Sequence, residues 1–374
     1  MPPLEPGRPT IRASLFPSAS EIGMELFRHR YIHVSRRAER VLPSLLPEAI
    51  ESIAVIKHAA LGDMVLTRPF FVTLRQHFPN ARITLGAVAN YMNGLPEDLV
   101  DRVHVAAGKF RPRPSPRERF RSYLDLGPHD LIFDLTASND SYWITALNRA
   151  KLKVGFHHGA YARFLYDIAV PRQIFKFEAE NFLDQLAVLR LPYEWPLRFD
   201  FPRVDDPGGK PGNPYVIYFP TASVTEKCWP PEYYGRLMER MAHAYPGHEH
   251  RLVYGVADWE AELTDRVWAE AGQQPGNPEH PGGWAPNLKQ VKDATGSAFQ
   301  ALVQQATLVV ANDTGIRNLA IAMGTPTLGI FPVSFVNTYL PRFGFHEVVH
   351  EPMGGNPTVE RVFESAQRLL ARIG

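Results

Sequence analysis

One cysteine, Cys228, occurs in 374 residues, so the chain can form no internal disulfide and no thiolate-held zinc or iron–sulfur centre. It also has almost no net charge, because 40 Lys+Arg against 39 Asp+Glu leave +1. That excludes a global positive field able to recruit nucleic acid or an anionic membrane by charge alone, and any attraction to an acidic partner has to be local. Uninterrupted apolar runs of bilayer length are missing too. The stretch Asn318 to Pro341 contains no charged residue, but Gly324, Pro326, Gly329 and Pro332 break it into helix, turn, buried strand and loop. The first twenty residues carry Pro2, Pro3, Pro6, Pro9, Arg8 and Arg12 and have no apolar core of a secretory signal. The mature chain is expected to begin at Met1 and to work in a reducing cytoplasm, either free or as a peripheral protein.

Several catalytic signatures are absent as well. No strand is followed by Gly-x-Gly-x-x-Gly, and no Gly-x-x-x-x-Gly-Lys-Ser/Thr or Gly-x-Ser-x-Gly occurs, which argues against a nicotinamide dehydrogenase, a P-loop nucleotidase and an elbow-type hydrolase. Asp-x-Asp and His-Glu-x-x-His are missing, so a catalytic metal has no usual local signature and none is expected.

What is present is a hydrophobic content of 45%, enough for two cores, arranged as strands alternating with helices. Ile53–Ile56 reads as a strand leading through Leu61-Gly62-Asp63 into a helix with Leu66, Phe70, Leu74 and Phe78 on one face. Further strands are predicted at Arg82–Leu85 and Leu131–Phe133. Phe201 to Pro214, rich in Pro and Gly, is the expected linker. After it come strands Tyr215–Phe219, Arg251–Tyr254 and Thr307–Val310, with helices from Pro231, over Trp259–Ala271 and from Thr314. The expected division is an N-terminal extension over 1–50, an α/β domain over 51–207, a second over 208–356 and a final amphipathic helix over 357–374. Within the extension, Glu21 to Arg40 is predicted to be an arginine-rich helix, packed on the first domain or lying on a membrane surface.

Chemistry concentrates at predicted strand ends. After Leu308-Val309-Val310 comes Asn312-Asp313-Thr314-Gly315, where Asp313 reads as a helix N-cap and Thr314 and Gly315 as the first turn. Free amides there, with no side chain at Gly315, suit a phosphate, although an ordinary capped helix has the same pattern. The first strand of that domain ends in Thr221, Ser223 and Lys227, whose hydroxyls and ammonium could meet the same diphosphate in one crevice. In the first domain Asp63 occupies the matching strand end, as a helix cap or as a base taking a proton from an attacking hydroxyl. From Lys109 to Arg121 the chain holds six basic residues and one acidic among prolines. The prolines predict an extended loop, either solvated or a seat for an anionic acceptor through Lys109, Arg111, Arg113 and Arg117. Only Phe110 and Phe120 offer stacking, so nucleic acid is not expected.

Together these landmarks resemble glycosyltransferase family 9, the lipopolysaccharide heptosyltransferases. They are Ile56-Lys57-His58-Ala59-Ala60-Leu61-Gly62-Asp63 with Pro69, Asp130 to Leu135, Val154-Gly155-Phe156, Lys227-Cys228-Trp229-Pro230-Pro231-Glu232, and Asn312 to Gly315 through Met323-Gly324-Thr325-Pro326. Ala59 stands where the family usually has glycine, and Asn318 where it usually has histidine. The resemblance implies a GT-B fold, two Rossmann-like doubly wound domains facing across a cleft with a last helix crossing back. It implies inverting, metal-independent transfer of a sugar, heptose from ADP-heptose, to an anionic lipid-linked core saccharide. Asp63 would be the catalytic carboxylate, Lys227, Thr314 and Gly315 would hold the donor diphosphate, Asp313 would be among the donor-binding residues, and Glu260 would lie near the ribose. No cofactor is implied, since the nucleotide-sugar is a substrate. Another nucleotide-sugar or glycan, or a catalytically silent sugar-nucleotide binder, fits the same residues.

Overall fold

The structure, a computed structural model, describes residues 32–108, 114–157, 162–204, 212–272, 285–292, 294–333 and 336–374. The first sheet consists of β1 (His33–Val34), β2 (Ser52–Ile56), β3 (Arg82–Val88), β4 (Arg102–Ala106), β5 (Leu131–Asp134), β6 (Leu152–Phe156) and β7 (Ile168–Val170). Its order is β1-β7-β6-β5-β2-β3-β4, parallel except for β1, whose His33 pairs antiparallel with Ala169. The second sheet holds β8 (Tyr215–Phe219), β9 (Glu249–Val253), β10 (Leu288–Val291), β11 (Leu308–Asn312), β12 (Thr327–Phe331) and β13 (His346–His350). Its strands are all parallel, in the order β10-β9-β8-β11-β12-β13.

Both sheets are covered on both faces, which explains the continuous apolar runs of their central strands. In β2, Ile53 and Val55 enter the larger core while Ala54 and Ile56 enter a separate cluster on the other face. In β8, Val216 and Tyr218 point to one core and Tyr215, Ile217 and Phe219 to another. Apart from β1, each unit starts at a central strand and winds outward first to one side and then to the other. The switch points fall between β2 and β5 and between β8 and β11, where crevices open at the carboxyl ends of the strands. The two doubly wound domains facing across a cleft are the expected GT-B arrangement.

Several local expectations are corrected. Of the helix expected over 21–40, residues 21–31 lie outside the described part; beyond them His33–Val34 is a strand and the helix is only Arg36–Val41. Ala38, Leu42, Leu45 and Ile50 are buried in the first domain's core, so this segment is built into that domain. The proline-rich basic stretch is not extended throughout. Ser115 accepts from the Glu118 amide while the Glu118 carboxylate accepts from the Ser115 amide, and Pro116 fits the first helical position, so a helix runs over Pro116–Leu124.

The last helix, Val359–Ile373, expected to cross back, packs chiefly on the helix Pro231–Ala244 and on β12 and β13 of the second domain. Val362, Ala366, Leu369 and Leu370 enter that core. The chain reaches the first domain instead at residues 336–343. There Thr338 Oγ1 donates to Ile174 O at 2.9 Å, and Arg342 Nη2 donates to Phe175 O at 3.3 Å. Phe343 closes the strap by packing against Phe177, Trp195 and Phe199.

Candidate active site

A cavity of about 660 Å³ lies between the domains, at the carboxyl ends of β2, β8 and β11. From the first domain it is lined by Ala60, Leu61, Gly62 and Asp63. From the second come Ser223, Lys227, Glu260, Asp313, Thr314 and Gly315, so seven of the sequence-predicted site residues meet in one space. Thr221 is fully buried with an unpaired Oγ1 and does not line the cavity. Arg117 is exposed on its helix, away from the cavity lining, and Lys109, Arg111 and Arg113 lie outside the described residues.

The anion cradle is made by backbone geometry. Asn312, at the end of β11, accepts from the Trp229 amide at 3.1 Å and donates to Pro220 O at 2.6 Å, which ties the loops after β11 and β8 together. The N-cap of the helix Gly315–Met323 is Thr314, not Asp313 as the sequence suggested. Thr314 has extended dihedrals, φ −140° and ψ 156°, and makes no side-chain capping bond. The Arg317 amide donates to Thr314 O at 3.1 Å, whereas those of Gly315 and Ile316 precede the first intrahelical bond and lie, with the positive end of the helix dipole, at the cavity wall. Asp313 is instead held by Lys227, whose Nζ lies 2.6 Å from Oδ2. The pair sets an ammonium and a carboxylate side by side on this wall of the cavity.

Further along the cavity Phe219, Tyr254, Val256, Phe299 and Ile316 supply apolar and aromatic surface of the kind that takes a nucleobase. Glu260 lies beside them in the first turn of the helix Asp258–Gly272. One of its oxygens accepts from the Ala257 amide at 3.0 Å, leaving the other for a ligand hydroxyl. A Cβ at Gly255 would come within 2.5 Å of that carboxylate, which explains the glycine.

Asp63 sits in the first turn of the short helix Leu61–Val65, whose N-cap is Ala60, so the capping alternative is excluded. Two residues that the sequence reading left unassigned surround it. Tyr339, on the strap from the second domain, donates its hydroxyl to Asp63 Oδ1 at 3.4 Å. Burial, then the neighbouring carboxylates of Asp63, Asp313 and Glu178, push the Tyr339 pKa up, so it stays a donor. Lys57, at the end of β2, is buried over the Phe182 ring at 4.1 Å and donates to Leu135 O at 3.3 Å. Burial pulls its pKa down, against the opposing pull of Glu178 and Asp63. Lys57 stands within the Ile56–Asp63 motif and was legible there as a charge in an apolar strand end; nothing local marks Tyr339.

Comparison with known proteins bears on the family and the fold. The chain is 23% identical over 295 residues to lipopolysaccharide heptosyltransferase 3 of Escherichia coli, covering 72% of this chain and 80% of that one. It is 24% identical to lipopolysaccharide heptosyltransferase 1 of Pseudomonas aeruginosa, covering 75% and 78%. Among solved structures, E. coli heptosyltransferase WaaC with ADP-2-deoxy-2-fluoro heptose superposes with a TM-score of 0.64 at 18% identity, over 85% of this chain and 99% of that one. The profile of glycosyltransferase family 9 (heptosyltransferase) matches residues 117–341. That span is more than half of the chain, and the chain therefore belongs to glycosyltransferase family 9.

Proposed function

We propose that this glycosyltransferase moves heptose from ADP-heptose to an anionic saccharide of the lipopolysaccharide core, with inversion and without a metal ion. The observation that carries the reading is the placement of Asp63 on one wall of the cavity and of the Thr314–Gly315 helix start with Lys227 on the other. The names of the curated relatives, and the ADP-sugar in the WaaC structure, support heptose and adenine.

In the proposed step the acceptor oxygen attacks the anomeric carbon on the face opposite the diphosphate. The new glycosidic bond forms as the bond from that carbon to the phosphate oxygen breaks, and the hydroxyl proton passes to Asp63. Because an ordinary aspartate is a far weaker base than an alkoxide, Asp63 helps by accepting the proton late, as the bond forms. Charge growing on the departing diphosphate meets the first-turn amides and Lys227. Each well-aimed donor is worth about 3 kcal/mol on the scale of oxyanion-donor removal.

Arg117, together with Lys109, Arg111 and Arg113, is proposed to receive the anionic acceptor. The acceptor's lipid would bring the protein to the cytoplasmic face of the inner membrane as a peripheral visitor. Among the described residues no helix is long and apolar enough to cross a membrane. A thermal-shift panel of ADP-, GDP-, UDP- and CMP-sugars tests the donor assignment. At 100 times its dissociation constant the true donor stabilises by about 2.7 kcal/mol. An ADP-sugar is expected to stand out, with turnover unaffected by EDTA; a larger shift with another base, or loss of turnover on chelation, contradicts the reading.

A further inference from the structure

We propose that Tyr339 is the positioning residue for the catalytic carboxylate, a hydroxyl carried by the donor-binding domain that sets Asp63 only when the two domains are together. The inference rests on the transferase reading above and extends it to a residue with no assigned part.

Three observations converge. The Tyr339 hydroxyl donates to Asp63 Oδ1 across the cleft, which leaves Oδ2 for an acceptor hydroxyl. The Tyr339 backbone is in turn gripped by the donor-cradle helix, because Arg317 Nη1 donates to Tyr339 O at 2.7 Å. Arg317 stands two residues after Gly315, so a single helix carries both the amides aimed at the diphosphate and the guanidinium that holds the tyrosine.

Arg317 itself is built in rather than incidental. It is 1% exposed, lies 5.3 Å from the Phe331 ring, and fits only because Gly329 has no side chain: a Cβ there would be 2.6 Å from Arg317 Nε. Burial lowers its pKa to about 10, so it is charged at neutral pH. Thr338 and Arg342 fasten the strap to the first domain on either side of the tyrosine. A movement of the donor helix is therefore passed through Arg317 to Tyr339 and from there to Asp63.

At 3.4 Å the Tyr339–Asp63 contact is longer than the roughly 2.5–3.0 Å of an ordinary hydroxyl hydrogen bond, so it orients more than it stabilises. The other charged groups near this pair are Lys57 behind Asp63, the Arg172–Glu178 ion pair beneath, and Asp313 with Lys227 on the facing domain.

Tyr339→Phe keeps the ring and deletes only the donor. The expected result is a kcat about tenfold lower, from misorientation of the base, with donor affinity within about twofold of wild type. The loss falls on kcat and leaves the donor KM in place, which a general loosening of the site would not do. Thr338→Val, which loosens the strap but keeps the tyrosine hydroxyl, should leave kcat near wild type. Wild-type kcat in Tyr339→Phe would overturn the proposal, and so would a Thr338→Val variant with the same tenfold loss, since the strap alone would then suffice.

A double-mutant cycle of Tyr339→Phe and Asp63→Ala in denaturant unfolding needs no turnover. Non-additivity of roughly threefold in the unfolding constant is expected from one net hydrogen bond. Strict additivity overturns the inference even in an active enzyme. Coupling in a wild-type protein that releases no nucleotide leaves the contact standing and sinks the transferase reading instead.

Discussion

Gly62 and Gly315, from opposite domains, meet backbone against backbone: a Cβ on Gly62 would lie 2.6 Å from Gly315 Cα, and one on Gly315 would lie 3.0 Å from Gly62 N. The two helix starts that carry the base and the anion cradle are thus in direct contact, and glycine at both positions is what allows it. Gly62→Ala forces the two helix starts apart and disturbs the packing of Leu319, Ile321 and Ala322 on the first domain's core. The expected outcome is a transfer rate lower by about a hundredfold, the scale of a misplacement near 1 Å, with a lower melting temperature. Nucleotide release followed beside a thermal melt checks it; a wild-type rate would show that the contact does not set the spacing.

Lys227 and Asp313 separate in their predicted effects although they form one ion pair. Lys227→Ala removes the charge proposed to meet the donor phosphates and should weaken ADP binding by tenfold or more, the scale of a hydrogen bond to a charged group, about 1.5–3 kcal/mol. Asp313→Asn removes an anion beside the proposed phosphate site but keeps an amide oxygen able to accept from Lys227 Nζ, so its loss should be clearly smaller. Calorimetric titration of ADP into both variants decides; equal losses would mean that Asp313 contacts the ligand directly.

Trp229 anchors the segment that presents Lys227. Its ring is fully buried, and its Nε1 donates to Pro357 O at 2.9 Å while its amide donates to Asn312 Oδ1. Trp229→Ala is expected to cost about 3–5 kcal/mol of stability through cavity formation. Trp229→Phe should keep the fold and lower donor affinity as the loop loosens. Unchanged ADP binding in the phenylalanine variant would detach this anchor from the site.

Acid should weaken the second domain through His250. The residue is fully buried between Tyr218 OH and Tyr245 O, and burial pulls its pKa down to about 4. The folded state holds it neutral, whereas the unfolded chain takes up a proton below about pH 6.5. Its contribution is complete above that pH and is lost progressively as the pH falls toward 4, at up to about 1.4 kcal/mol per pH unit. Denaturant unfolding at pH 7 and pH 5 should show the decline, and His250→Gln should reduce its slope, the remainder coming in part from His346, whose pKa burial pulls down to about 3. The same slope in that variant would assign the acid sensitivity elsewhere.

What the sequence made legible was local: apolar strands that end in a turn carrying chemistry. Asp63, Lys227 and Thr314–Gly315 were readable because each follows a buried strand at the carboxyl edge of a parallel sheet, where doubly wound folds open their crevices. Asp313 was misread as a cap because capping propensity is a local rule, whereas its partner Lys227 lies 86 residues away. The helix Pro116–Leu124 could have been found, since Ser115-Pro116-Arg117-Glu118 is a capping box with proline at the first position. Tyr339 could not. It lies 276 residues from Asp63, in a stretch whose only sequence feature is the lack of charge, and the contact exists only once both domains are folded and joined. The β1 strand is equally silent, since two residues added antiparallel to an edge carry no periodicity.

Replacement of the Asp63 carboxylate tests the account most directly. Nucleotide release during turnover and ADP-sugar binding are measured side by side in wild type and Asp63→Ala. The expected result is donor binding within a few-fold of wild type and turnover reduced at least about a hundredfold, the lower end of what a positioned general base contributes. Turnover at the wild-type rate in the alanine variant would contradict it, because the cavity would then be transferring sugar without the group on which the whole arrangement converges.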